Sequence, residues 1–548
     1  MTREVIFISD FFVDEIQGGA EHCNEALMRL LEKDIKFKKI KTSIIDTQFV
    51  ENNKASFFIV ANFFLLPENI KKKLSEVNYA ILEHDHKYVK SNNPSLYKNF
   101  LVPESQIQNR DFYKNAIAVL CQSKKHAEVL QKNLLLDNIA NLGGNIWTPK
   151  QLSVLEKNIN NKKTIKHGII YSTNKNKGMP AAIEYCRKKN IEYQFVRPQP
   201  FEQFIENLSR VEKLFFFPQW LETYSRLCIE YKILGGKLVT NSLVGAASED
   251  YFKLSGKELF DLIKENNLNL KNKWLKLISN KEIEKIKSID FPKITVFCPL
   301  YKGEKYIQGY LEDIENQTIF NQCELIIIDA NSPENEKLYI ERFCQKYDNV
   351  IYKRLSYRAS VMETENMALK MATGEYFAQT CVDDRHSADY LELARKHLYF
   401  RNDIDLVYAD CLQTKKPNET FFNNSSSGEL YQHSTKEYTK ENMIKCLPGP
   451  MPVWKIKVHE KTGYFDKDLR YAGDWEMFLR MVDNGSKFKK IDIPLGLYYF
   501  NSEGLSTSDE YIMPRGKEEA SVFFKYKHIF GKSNFNKYKN YFLQFTKE

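Results

Sequence analysis

The apolar positions of this chain fall in short runs, each followed by a polar, helix-compatible stretch. In the first part the runs are VIFIS, FFIVANFF, YAILEH and AIAVLCQS. Continuous apolar runs are strands buried on both faces, and strands of that kind alternating with helices form a parallel sheet covered on both sides. The pattern pauses around residues 150–165, which are rich in Asn and Lys, and restarts with HGIIYST, EYQFVRP, KLFFFPQ and KLVTNS. The expectation is an α/β chain that opens with two Rossmann-like lobes, residues 1–160 and 161–275, with a cleft between them.

A charged, helix-compatible stretch over 255–290 closes the second lobe, and residues 276–292 are expected to be a linker. Pro292 opens a third αβ unit, expected over 293–515, with the runs ITVFCPLY, ELIIIDAN, NVIYKRL, YFAQTCVDD, LVYADCL and FKKIDIPLGLYYF. Residues 516–548 are aromatic and basic and predict a helical tail. At 548 residues the chain is too long for one core.

Composition narrows the function classes. No apolar run reaches the length of a membrane span, and MTREVIFISDFF lacks the features of a signal peptide. The ten cysteines form no CxxC pair, and Cys121, Cys228 and Cys298 sit in apolar runs. That favours reduced thiols in a cytoplasmic protein over disulfides or a zinc site. A net charge of +9, from 80 basic and 71 acidic residues, is mild for this length. It suits anionic substrates or peripheral contact with the inner face of a membrane, and does not by itself indicate nucleic acid.

Two carboxylate features carry chemistry in the last unit. Asp383-Asp384 ends an apolar strand, where hard oxygen ligands can hold Mg²⁺ or Mn²⁺ against a diphosphate. Ninety residues on, Gly473-Asp474-Trp475-Glu476 places an Asp at a helix start, where it can take a proton from a hydroxyl. Together they read as sugar transfer from a nucleotide donor. Residues 293–507 resemble family-2 glycosyltransferases of the GT-A fold. The matching positions are Pro299 and Tyr301, Asp329, Asn366 with Gly374-Glu375-Tyr376, Asp383-Asp384, the block Gly463 to Asp466, and Gly473-Asp474. The resemblance implies donor binding by Pro299, Tyr301, Asp329 and Asn366. It also implies Mn²⁺ or Mg²⁺ on Asp383 and Asp384, and Asp474 as the catalytic base of an inverting transfer. The chain departs from the family at Cys381, where an Asp is common, and at Phe500 and Asn501, where a late His or Arg is common. Trp475 reads as a packing or acceptor-stacking residue, and Arg480 as one that ties its helix down.

The first half carries a second constellation. Glu222 and Glu230 have an E-x7-E spacing between a strand and the next apolar run. This resembles the donor block of family-4 and related retaining glycosyltransferases of the GT-B fold. The resemblance implies a catalytic Glu222 on the donor sugar, Glu230 on the ribose, and a helix N-terminus on the diphosphate. Gly18-Gly19 resembles the family's glycine loop and Lys177 its diphosphate-facing cation, so no metal is expected there. Tyr171 stands where the family carries an Arg, with Lys175 nearby. Glu83-His84-Asp85-His86 resembles the family's His-bearing loop, and two His without a third ligand favour a polar cleft over a metal site.

The leading expectation is a bifunctional glycosyltransferase, GT-B followed by GT-A. It would use nucleotide sugars, UDP sugars among them, on a glycan or lipid-linked glycan acceptor in surface polysaccharide or glycoconjugate synthesis. One alternative is a phage-type glycosyltransferase acting on modified nucleic-acid bases, which the mild basicity and interleaved Lys, Tyr and Phe allow. Another is a single GT-A transferase with a non-catalytic GT-B-like binding module.

Overall fold

The computed structural model describes residues 4–16, 18–279, 289–421 and 423–546. It divides into two compact units, Met1–Ile289 and Asp290–Glu548.

The first unit holds two parallel sheets. One is built from β1 (Glu4–Ser9), β2 (Lys36–Lys41), β3 (Phe57–Val60), β4 (Tyr79–Leu82), β5 (Ala118–Cys121) and β6 (Ile139–Asn141), in the order β2-β1-β3-β4-β5-β6. The other contains β7 (Ile165–Ile170), β8 (Gln194–Val196), β9 (Val211–Phe216) and β10 (Lys237–Thr240), in the order β10-β9-β7-β8. Every pairing in both sheets is parallel. The central strands β3, β4 and β5 are buried along their whole length, which is why they read as unbroken apolar runs.

The second unit is one mixed sheet of eight strands with helices packed on it. Its strands are β11 (Ile294–Leu300), β12 (Cys323–Asp329), β13 (Val350–Arg354), β14 (Tyr376–Gln379), β15 (Arg385–His386), β16 (Leu406–Thr414), β17 (Val453–Lys455) and β18 (Phe488–Tyr499). Their order is β13-β12-β11-β14-β17-β16-β18-β15. β11 to β14 are parallel, and β17 runs antiparallel to both β14 and β16.

Two expected boundaries fall elsewhere. The polar pause near residue 150 contains a helix, Pro149–Asn158, started by a capping box between Thr148 and Gln151 with Pro149 in the first turn. Its Val154 and Leu155, with Trp147, pack in the core of the second sheet, so this segment belongs with the second lobe. The helix Gly256–Ser279 runs past 275. Leu259, Phe260 and Ile263 bury in the second lobe, while Leu270 and Trp274 bury against the first. The helix therefore straps the two lobes rather than closing only one. Most of the expected linker, residues 280–288, lies outside the described residues.

The C-terminal segment is not an appended tail. Helices Ile512–Lys525 and Gly531–Leu543 place Phe523, Phe530 and Phe542 in the same core as Trp475 and Phe478. The Phe523 and Phe542 rings stack with centroids 4.3 Å apart. Among the described residues no helix is long and apolar enough to cross a membrane.

Candidate active site

In open α/β sheets ligands bind outside the carboxyl ends of the strands, where the strand order reverses. In the second unit that point lies between β11 and β14. Pro299 ends β11 with Tyr301 just beyond it, and β14 leads into Cys381, Asp383 and Asp384. Each of these last three offers a ligand atom, all within 4.8 Å of one another. The acids are also tied to the far end of β18. Asp384 Oδ1 accepts from Tyr499 N at 3.1 Å, and Asn501 Nδ2 donates to Asp383 Oδ2 at 3.3 Å. Asn501, which departs from the family's late His or Arg, thus reaches the acidic pair directly.

Burial pushes the Asp383 carboxyl up, and burial followed by the Asp383 charge pushes Asp384 well up. A half-buried and a fully buried acid side by side ionise together more readily when a cation offsets their charge. The oxygen donors suit Mg²⁺ or Mn²⁺. Cys381 brings a thiol held well above its usual range, first by burial and then by the Asp384 and Asp383 charges, so it adds no ready anionic ligand.

Asp474 lies in the first turn of the helix Gly473–Asp483. Its carboxylate accepts from its neighbour Trp475 N at 2.7 Å, with Cys446 Sγ 3.8 Å away. Burial raises its proton affinity. Gly473 packs tightly, and a Cβ there would meet Met362 Sδ at 2.5 Å, so the Met362 side chain would have to shift. Met362 is one turn before Glu365, a buried acid with no hydrogen-bond partner on either carboxyl oxygen among the described residues. After burial, the Asp474 charge is what raises Glu365, and Glu365 in turn bears on the Cys381 thiol. The base candidate and the acidic pair thus share one electrostatic neighbourhood.

Two donor-binding expectations meet a different geometry. Asp329 is fully buried, and its oxygens accept from Ser332 N at 2.7 Å, Tyr352 Oη at 2.7 Å and Arg354 Nη1 at 2.6 Å. It holds the loop after β12 and orients Arg354, with its own lone pairs largely engaged. Asn366 grips the backbone of Phe465, donating to its carbonyl at 2.8 Å and accepting from its N–H at 2.9 Å. It therefore anchors the Gly463 to Asp466 block. Asn366→Leu should destabilise the protein by about 1–3 kcal/mol for two lost hydrogen bonds, measured by urea unfolding. A change within ±0.5 kcal/mol would contradict this role.

The sequence reading missed Glu518. From the C-terminal helix its carboxylate accepts the N–H groups of Arg470, Tyr471 and Ala472 at 3.0, 2.6 and 3.1 Å. Those residues lead directly into the helix that carries Asp474. Arg480 donates to the Thr462 and Tyr464 carbonyls and to Glu476, which fastens the same helix. Trp475 is buried, and its indole donates to Met443 O at 2.8 Å. Glu518→Gln keeps the size and removes the charge that three donors share. It should lower turnover about tenfold, as misplacement of a catalytic group does, with nucleotide affinity retained. Wild-type turnover would show that the loop holds without it.

In the first unit both sheets reverse order beside one cleft of about 1070 Å³. Asp10 and Asn62 follow β1 and β3 on one wall, while Tyr171, Lys177 and Glu222 follow β7 and β9 on the other. Lys177 donates to both Glu222 oxygens, at 2.8 and 3.1 Å. Gly178 beside it has φ +72°, and a Cβ there would strike the Phe217 carbonyl. Ser225, at φ +73°, starts the helix Arg226–Ile233, whose N-terminal residues line the cleft.

Two expected contacts are absent from the wall among the described residues. Glu230 is buried, accepting from Trp147 Nε1 at 2.9 Å and pairing with Arg226 at 3.4 Å. Gly19 lines the cleft, but Glu21 folds its carboxylate back over Gly18. His84 and His86 also line it, and burial pulls them down to about 3 and about 4, so both are uncharged.

Residues 295–456 match the family model described as glycosyl transferase family 2. The chain is a sugar-transferring enzyme. The match covers β11 to β17 and the acidic pair, and stops short of Asp474. Among its relatives is an uncharacterized glycosyltransferase, MJ1057, of Methanocaldococcus jannaschii. It is 25% identical over 214 residues, covering 37% of this chain and 69% of that protein. A chondroitin synthase of Pasteurella multocida is 25% identical over 204 residues, 37% of this chain and 20% of that protein. The minor teichoic acid biosynthesis protein GgaB of Bacillus subtilis is 32% identical over 126 residues, 23% of this chain and 14% of that protein. The chain thus spans a fifth or less of these last two. Solved structures include a mannosyltransferase of Pyrobaculum calidifontis with GDP-Man and Mn²⁺, at 19% identity and a TM-score of 0.35 over 45% of this chain and 67% of that one.

Proposed function

We propose that the chain moves a sugar from a nucleotide-sugar donor to a glycan hydroxyl at one metal-dependent centre in residues 290–548. The observation that carries this reading is the acidic pair at the β11/β14 reversal, inside the family-2 segment. Asp383 and Asp384 would hold Mg²⁺ or Mn²⁺, which when bound offsets the negative charge growing on the departing diphosphate. Asp474 takes the proton of the acceptor hydroxyl as its oxygen bonds to the anomeric carbon and the bond to the diphosphate breaks. Base and leaving group on opposite faces give inversion. Pro299 and Tyr301, at the end of β11, are the residues proposed to meet the donor nucleotide.

Relatives named for chondroitin and teichoic acid synthesis support a growing polysaccharide, free or lipid-linked, as acceptor, with UDP sugars the first donors to try. The alternative acceptor, a modified nucleic-acid base, predicts a duplex affinity that falls steeply with salt.

A second reading adds a retaining, GT-B-type centre in the first unit. It is favoured by Lys177, Glu222 and the start of the helix Arg226–Ile233 on one cleft. Product analysis of Glu222→Ala and Asp474→Asn separates the two. With one centre, Glu222→Ala makes the wild-type linkages at the wild-type rate, and Asp474→Asn makes the same linkages about 10²–10⁴-fold more slowly. Two different stalled glycans, one per variant, would overturn the one-centre reading.

A further inference from the structure

We propose that the cleft of the first unit binds uncharged sugar rings of a glycan, and not a nucleotide diphosphate. The proposal rests on the chain being a glycan-building transferase.

Charge is the first argument. A nucleotide diphosphate brings concentrated negative charge and needs cations, a metal, or both. The cleft wall carries four acids, Asp10, Glu21, Asp85 and Glu222, against two bases, Lys177 and Arg226. Neither base is free. Lys177 is held by both oxygens of Glu222, and Arg226 is spent on Glu230, the Ile146 carbonyl and Gln151. Arg226 also lies over the Trp147 ring. The histidines add no charge. Among the described residues the only group able to hold a metal is the one at Cys381, Asp383 and Asp384, in the other unit. One helix N-terminus remains, against an excess of carboxylates.

The second argument is a built apolar mouth. Asp10 spends its carboxylate on the backbone of the loop after β3, accepting from Phe64 N at 2.8 Å and Leu65 N at 3.1 Å. That clamp leaves the Phe64 and Leu65 side chains 49% and 56% exposed on the cleft wall. Trp220, 38% exposed, lines the same cleft from the other lobe. Exposed large apolar side chains that line one cleft together with polar groups are a binding signature. The apolar faces come from different lobes, and seven Asn and Gln residues line the same cleft. Amides both donate and accept, as sugar hydroxyls require, and aromatic faces pack against the C–H face of a ring. A lipid tail would instead call for a contiguous apolar surface.

The experiment uses the full chain carrying Asp383→Ala and Asp384→Ala, which silences the other unit's donor site. Binding is measured on an array of neutral oligosaccharides and by calorimetry with UDP and GDP. Trp220→Ala and Phe64→Ala are compared, with Trp220→Phe as a conservative control and melting curves to check folding. The expected result is array binding that falls about tenfold or more in each alanine variant and survives Trp220→Phe, with no nucleotide binding that depends on Lys177. Nucleotide binding abolished by Lys177→Ala would overturn the proposal. So would array binding that is absent in the parent chain or unchanged in both alanine variants. None of these readouts depends on transfer activity, so the result is separable from the fate of the one-centre reading.

Discussion

Replacing Asp383 and Asp384 with alanine abolishes sugar transfer, and EDTA does the same to the unaltered chain, with Mn²⁺ or Mg²⁺ restoring it. The expectation follows from the position of the pair. Both acids sit at the sheet's switch point, burial raises both, and Asp383 raises Asp384 further. A cation helps them ionise together, and it is also what a departing diphosphate needs. Loss of several kcal/mol of such stabilisation is worth about 10³-fold or more in rate. Turnover of a panel of nucleotide sugars is the measurement, with circular dichroism to show that the variant folds. Full activity in EDTA, or in the double variant, removes the metal-dependent assignment.

Asp474→Asn is the second large effect. It keeps the shape of the side chain and removes its basicity, so turnover should fall by about 10²–10⁴-fold with nucleotide affinity nearly unchanged. The pH profile carries a separate signature. Burial raises the Asp474 carboxyl above the ordinary value near 3.9, and only the ionised form is a base. Activity is therefore present above the raised value and lost as pH falls through it. The acidic limb of kcat/KM should lie above the ordinary carboxylate range and vanish from the residual activity of the Asn variant. If donor affinity collapses while bound donor still turns over, Asp474 is a binding residue instead.

The acidic pair was legible in the sequence because it closely follows a largely apolar strand run, and such a run in a parallel sheet delivers its C-terminal residues to the ligand edge. Asp474 was legible through its place at a helix start. What sequence did not disclose was partnership. Asn366 shows its type but not Phe465, ninety-nine positions away, and Glu518 lies in a stretch read as a tail although its carboxylate holds the approach to Asp474. Glu365 looks like an ordinary helix acid until its burial is known. The helix itself was legible over 255–290, but its sequence does not disclose that Leu270, Trp274 and Ile278 bury in the first lobe while Leu259 and Phe260 bury in the second. Gly19, Lys177 and Glu222 of the first-unit motifs line one cleft. Spacing alone could not reveal that Glu230 turns inward to an indole N–H, or that Glu222 spends itself on Lys177.

The central claim is one transfer centre, in the second unit, dependent on metal. The most direct test is to assay the full chain with Asp474→Asn, in EDTA, for sugar transfer from a panel of UDP and GDP sugars to glycan acceptors on which the unaltered chain is active. The account predicts no transfer above background from any donor. Residual EDTA-resistant transfer that disappears when Glu222→Ala is added would contradict it and place a second, metal-free centre in the first unit.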